Sequence, residues 1–181
     1  MKKLLLSLAA VALTGAFAMA ESYTLQFKGN GLSNDSFGQL SENSKSDLYM
    51  SAGTEYVSGI ADASKVVLGK EEEGLKFSTQ SANGSLTLTL SAAGQVNATS
   101  IVVTAKKWKS EEEAAVSING TDAQSLTDES ADYTFAVTGN LTQIKIDATK
   151  RLYVNKITVN YTAGAVTPQP AGLSFSKVAC T

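Results

Sequence analysis

The segment SLTLTLS at residues 85–91 puts Leu86, Leu88 and Leu90 on one side of an extended chain and Thr87 and Thr89 on the other. A helix face repeats every ~3.6 residues, so a strict period of two describes a strand with one face against a core and the other toward water. Such half-buried strands belong to antiparallel sheets. The same alternation dominates from Glu21 to Thr162, and no stretch there sustains helical spacing over three turns. Further strands are predicted at 22–27, 64–69, 75–78, 99–108, 114–120, 132–137, 142–147 and 151–161. Turn pairs stand between them at Asn83-Gly84, Ala93-Gly94, Asn119-Gly120 and Gly139-Asn140. Short strands at this spacing predict an all-β fold, a two-sheet antiparallel β-sandwich of jelly-roll-like topology. The Ser-, Asn- and Gly-rich stretch from Gly29 to Gly59 predicts long loops with one or two short strands.

The two ends differ from this pattern. Residues 1–20, MKKLLLSLAAVALTGAFAMA, join a basic start (Lys2, Lys3) to an apolar run (Leu4 to Ala12) and a small-x-small site at Ala18-Met19-Ala20. That is the layout of a cleavable signal peptide, helical before cleavage. Thr14 and Gly15 interrupt the apolar run before the ~20 residues that a membrane-spanning helix requires. The expected product is a secreted or cell-surface protein beginning at Glu21, with no membrane insertion after cleavage. Residues 163–170 include Pro168, which with Pro170 makes up all the proline of the chain, and they read as a linker. LSFSKVACT then resumes the alternation, so residues 171–181 read as the truncated start of a second β-domain. The expected organisation is a signal peptide (1–20), one β-sandwich module (21–162), the linker, and covalently linked β-domains downstream.

Charge and composition exclude several chemistries. The chain has 15 Lys and Arg against 17 Asp and Glu, for a formal net charge of −2, and Arg151 is its sole arginine. Phosphate backbones are bound by clustered Lys and Arg, so nucleic acid is not an expected partner. Lys106, Lys107 and Lys109 precede Glu111, Glu112 and Glu113 and read as a solvated turn that balances its own charge. Histidine is absent, which removes Ser-His-Asp and Cys-His catalysis and histidine metal sites. One cysteine, Cys180, cannot form an internal disulfide. Carboxylates are the remaining catalytic candidates. The triplets 71–73 and 111–113 follow lysines between strands and read as solvated loops, without the burial that shifts the pKa of a catalytic acid. The chain is therefore not expected to be an enzyme. No cofactor is implied and no metal ligand set is evident. A structural calcium ion would draw on Asp122, Asp128, Asp132 and Asp147, whose spacing does not match an EF-hand loop.

Parity singles out four residues. In the strand at 99–108, Ile101, Val103 and Ala105 share the core face, whereas Trp108 shares parity with Val102, Thr104 and Lys106. In the strand at 151–161, Leu152 and Val154 have one parity and Ile157, Val159 and Tyr161 the other, so a β-bulge near Asn155 is needed to reconcile them. With that bulge Arg151 and Tyr153 point away from the core. Aromatic rings stack on the C–H faces of sugars, and Arg and Asn hydrogen-bond hydroxyls. Trp108, Arg151, Tyr153 and Asn155 are therefore the candidate ligand-binding residues, a glycan platform if the two strands are neighbours. The competing reading has Trp108 capping the core at a sheet edge and Tyr153 packing across strands.

The string from GLKFSTQSANGSLTLTLSAAGQVNATSIVVTAKKW through INGTDAQSLTDESADYTF to LTQIKIDATKRLYVNKITVNY resembles a β-sandwich module of secreted multidomain Bacteroidetes proteins. The ending R-x-Y-V-x-x-I-x-V-x-Y is its most specific part, and the tail AGLSFSKV is similar to the first strand of bacterial Ig-like repeats. The resemblance implies an exported accessory module, related in architecture to galactose-binding and carbohydrate-binding jelly rolls, and carries over no catalytic residue. Three functions follow in order: a non-catalytic carbohydrate-binding-like module, a structural or protein-interaction domain of an Ig-like or adhesin stalk, and a small β-sandwich glycoside hydrolase. The second predicts buried Trp108 and Tyr153. The third needs two carboxylates facing each other across a cleft.

Overall fold

The computed structural model describes residues 20–29, 40, 48–70 and 72–163. The signal peptide as far as residue 19, nearly all of the linker and the second-domain segment lie outside the described residues.

The chain order is β1 (Ala20–Phe27), β2 (Met50–Ala52), β3 (Val57–Ser64), β4 (Val66–Leu68), β5 (Leu75–Phe77), β6 (Gly84–Leu90) and β7 (Val96–Lys107). It continues through β8 (Ala115–Ile118), β9 (Gln124–Ser125), β10 (Ala131–Phe135), β11 (Gly139–Leu141), β12 (Gln143–Thr149) and β13 (Leu152–Thr162). These strands form two antiparallel sheets, the β-sandwich that the alternation predicts. The first runs β10-β7-β13-β1-β2, with β11 also on β7 and the β4–β5 pair attached to β13. The second runs β3-β6-β12-β8-β9. From β5 onward the chain crosses repeatedly between the sheets in a jelly-roll-like path, with β5, β7, β10–β11 and β13 in the first sheet alternating with β6, β8–β9 and β12 in the second.

Each sheet turns its apolar parity inward. Leu25, Ile101, Val103, Leu152, Val154, Ile157 and Val159 come from the first sheet, and Ile60, Leu86, Leu88, Val116, Ile118, Ile144 and Ile146 from the second. Together they form one buried cluster, and burial of each large aliphatic side chain contributes about 1.5–3 kcal/mol. Tyr23 lies at the edge of this core, stacked on Tyr56 at 4.2 Å between ring centres. Its hydroxyl donates to the Gly94 carbonyl at 2.8 Å, and burial raises its pKa.

Two departures from regular pairing matter for the site. The β7–β13 register shifts between Val154 and Lys156, so Asn155 is the inserted residue of a bulge and the two apolar parities of β13 both reach the core. At the same residue β13 changes partner along its other edge: β5 pairs with Leu152–Val154 and β1 with Lys156–Thr162. By contrast, β3 starts inside the loop-rich stretch that ends at Gly59 and continues through residues 60–63, to which the alternation assigns no strand. Its register slips at Val57/Gly59 and again at Ile60/Asp62, which erases the two-residue period that would have marked it.

Candidate functional site

Among the described residues strands β7 and β13 are the most extensively paired, with Tyr153 opposite Lys106 and Leu152 opposite Lys107. Just past the end of β7, the Trp108 amide donates to the Arg151 carbonyl at 3.1 Å. The four candidate residues are thereby brought together at one end of the first sheet, on its outer face or at its rim.

Arg151 and Trp108 pack directly against each other on this surface. The Arg151 guanidinium lies 3.7 Å from the centre of the indole ring, and the Lys109 and Lys76 ammonium groups lie 4.4 Å and 4.9 Å from it. A cation over an indole face is attracted by the ring quadrupole. Glu112 holds the guanidinium in place: its Oε1 accepts from Arg151 Nε at 2.7 Å and from Nη2, and its Oε2 accepts from the Arg151 backbone amide at 3.0 Å. Desolvation pushes the Glu112 carboxyl up. The side-chain and backbone hydrogen bonds from Arg151, with the charges of Arg151 and Lys150, outweigh it and leave the pKa below the ordinary value.

The reading of two solvated glutamate loops is thus corrected at Glu73 and Glu112, while Glu72, Glu111 and Glu113 are exposed as expected. Glu112 keeps only 15% side-chain exposure against Arg151, and Glu73 accepts from Lys106 Nζ at 2.8 Å through Oε1 with Oε2 at 2.7 Å. The lysine cluster is not balanced by the nearby triplet either. Lys106 pairs with Glu73, Lys107 reaches Asp128 at 3.7 Å and Lys109 lies over Trp108. Strand pairing brings distant loops closer than the next turn, which spacing along the chain does not reveal.

Tyr153 points to the outer face, as its parity requires, yet it is only 4% exposed. Gly69 is the reason. A Cβ at Gly69 would lie 3.0 Å from two ring carbons of Tyr153, so the bare backbone after β4 rests on the ring. Lys106 flanks it, with its ammonium 5.9 Å from the ring centre.

Two adjoining cavities cover this end of the sheet. One of about 380 Å³ is lined by Lys70, Glu73, Lys106, Lys107, Trp108, Lys109, Ser110, Asp128 and Tyr153. The other, of about 330 Å³, is lined by Gln26, Glu72, Glu73, Ala105, Lys106, Ser130, Tyr153 and Asn155. They share Glu73, Lys106 and Tyr153, so the Lys106–Glu73 ion pair divides one groove into two lobes. Arg151 lines neither lobe and braces Trp108 instead.

Asn155 ties the second lobe together. Gln26 Nε2 donates to its side-chain oxygen at 2.6 Å and to its carbonyl at 3.2 Å, and Asn155 Nδ2 donates to the Glu72 carbonyl at 3.1 Å. The bulge therefore connects β1 to the turn that carries Glu73. That turn closes through Glu73 N to Lys70 O at 2.9 Å and Gly69 N to Gly74 O at 2.8 Å. Gly74 has φ +76, and a Cβ there would meet the Val154 carbonyl at 2.4 Å, so glycine is needed for the turn to lie against β13.

Elsewhere, a depression of about 420 Å³ beside Gly120, Thr121, Asp122, Gln124 and Thr134 presents no comparable mixture of aromatic and charged groups. Among the described residues no group of three or more Asp, Glu, Cys or His is arranged to hold a metal ion. Of the aspartates considered for calcium, Asp128 faces Lys107, Asp132 accepts from Thr104 and Asp147 pairs with Lys145.

No protein-family model matches the chain, and no curated protein matches it. Among solved structures it is similar to carbohydrate-binding module family 29. A structure of that module is 13% identical, with a TM-score of 0.47 over 78% of this chain and 89% of the other. Two mutants from work on ligand recognition by family 29 modules are 12% identical at the same TM-score, over 78% of this chain and 93% or 86% of theirs.

Proposed function

We propose that residues 21–162 form an exported, non-catalytic module that binds a glycan in the two-lobed groove. The carrying observation is that Trp108, Tyr153 and Asn155 converge on the same end of one sheet, in a cleft with Lys and Glu side chains on its walls. Trp108 supplies apolar surface for a sugar ring in the first lobe. Asn155 and Gln26 supply amide groups in the second. Arg151 positions the indole through its stacking and its bond to Glu112.

Export is supported by the layout of the first 20 residues, and attachment to further β-domains by the segment after residue 170. A non-catalytic role is supported by the state of the carboxylates around the groove. Glu73, Glu112 and Asp128 are each engaged in an ion pair with a Lys or Arg side chain. A structural or protein-interaction role is the second reading, favoured by the burial of Tyr153.

Affinity electrophoresis and calorimetry of the chain against neutral and acidic polysaccharides separate the two. The expected result is binding to at least one polymer, weakened about tenfold or more by Trp108→Ala. Absence of binding to every polymer would favour the structural reading.

A further inference from the structure

The groove concentrates positive charge on an acidic chain. Lys70, Lys106, Lys107 and Lys109 line its first lobe, and Lys76 and Arg151 lie within 5 Å of the Trp108 ring centre. The carboxylates in the first lobe are Glu73 and Asp128, and Glu112 neutralises Arg151. Four lysines against two carboxylates leave the lobe cationic, although the whole chain has a formal net charge of −2.

These charges are not equivalent. Lys106 is held by both oxygens of Glu73. Lys107 meets Asp128 only at 3.7 Å, and the Asp128 side chain is 58% exposed, so solvent and salt screen that pair and an incoming anion can replace it. Lys70 and Lys109 have no carboxylate partner among the described residues, and Lys109 has only the indole. The lobe therefore has the Trp108 ring on one wall and, around it, four ammonium groups against the two carboxylates Glu73 and Asp128.

We propose that the groove selects an acidic polysaccharide, one whose sugars carry carboxylate or sulfate groups, an inference that rests on the glycan reading above. The sugar ring packs at Trp108 while its anionic substituent lies among Lys70, Lys107 and Lys109. A nucleic acid fits less well. The one arginine, the side chain best shaped to grip a phosphate with two hydrogen bonds, is already neutralised by Glu112.

The test uses the chain with polygalacturonate, fully methyl-esterified polygalacturonate, dextran sulfate, dextran and single-stranded oligothymidylate, by calorimetry at low and high salt. Polygalacturonate or dextran sulfate should bind about tenfold or more tightly than its neutral counterpart, and which of them binds identifies the anionic group. Affinity should fall with salt, because the Debye length shrinks from about 30 Å at 0.01 M to about 8 Å at 0.15 M. Lys70→Glu and Lys109→Glu should each weaken acidic-glycan binding at an unchanged melting temperature, with Lys70→Gln and Lys109→Gln intermediate. Equal binding of the neutral and acidic polymers would overturn the charge selection and leave the glycan reading standing. Failure of every polysaccharide overturns both. Oligothymidylate binding as tightly as the acidic glycans overturns the selection by showing unspecific charge attraction.

Discussion

The guanidinium of Arg151 stacks 3.7 Å from the centre of the Trp108 ring while Glu112 grips its edge. The planar group thus satisfies an aromatic face and a carboxylate at once, which a lysine ammonium cannot do with the same geometry. Arg151→Ala should lower stability by about 1.5–3 kcal/mol, because it leaves Glu112 in a largely desolvated position without its side-chain partner. Arg151→Lys should recover only part of that loss. Urea denaturation followed by the fluorescence of Trp108, the sole tryptophan, reads both effects, and a wild-type midpoint for Arg151→Ala would contradict the clamp.

The Glu112 carboxyl has a folded-state pKa below its ordinary value, so the folded protein favours the charged form. Its contribution to stability is fully present above the unfolded pKa of about 4.3 and is lost as pH falls through the lower folded value. Stability should therefore decline below about pH 4. Glu112→Gln should be less stable than wild type at neutral pH and should flatten this part of the profile. Thermal melts between pH 7 and pH 3 test the sign, and parallel pH profiles for the two proteins would contradict the assignment.

Gly74 supports the groove through its left-handed backbone. A Cβ at this position meets the Val154 carbonyl, and φ is unfavourable for any other residue. Gly74→Ala should cost about 1–3 kcal/mol. It should also displace Glu73 from Lys106 and so weaken ligand binding more than a substitution remote from the groove of equal cost. Melting temperature and affinity measured on the same samples separate these two effects.

The bulge at Asn155 can be tested by removing it. Deleting Asn155 would continue β13 without the extra residue and turn Ile157 and Val159, both fully buried, toward the outer face. The deletion should fail to give a cooperative unfolding transition, whereas Asn155→Ala keeps the register and the Gln26 bond to its own carbonyl, and should lose only the side-chain bonds to Gln26 and to the Glu72 carbonyl. A deletion protein that melts like Asn155→Ala would show that the register is set elsewhere.

Much of this architecture was legible in the alternation. Leu86, Leu88 and Leu90 are buried as their spacing requires, and the parity conflict in β13 located the bulge at Asn155. Strand β3 was not legible, because its two register slips put Ser58, Gly59, Ala61 and Asp62 where a regular strand would alternate. Parity also gave the correct face for Tyr153 but not its covering, since nothing in a local pattern reveals that Gly69 lies on the ring. The partners of the site were the least legible. Glu112 is 39 positions from Arg151, Glu73 is 33 from Lys106 and Gln26 is 129 from Asn155, and all three contacts are created by sheet pairing.

The pairing of Ala20 with Thr162 brings the two ends of the described chain together at one end of β1 and β13. Tyr153 lies nine residues back along β13, about 30 Å away at the rise of an extended strand. The groove and the two ends of the described chain thus lie at opposite ends of the first sheet. On the proposed glycan reading, a partner joined at either terminus would lie behind the groove, which would meet a polymer without the connection crossing the contact.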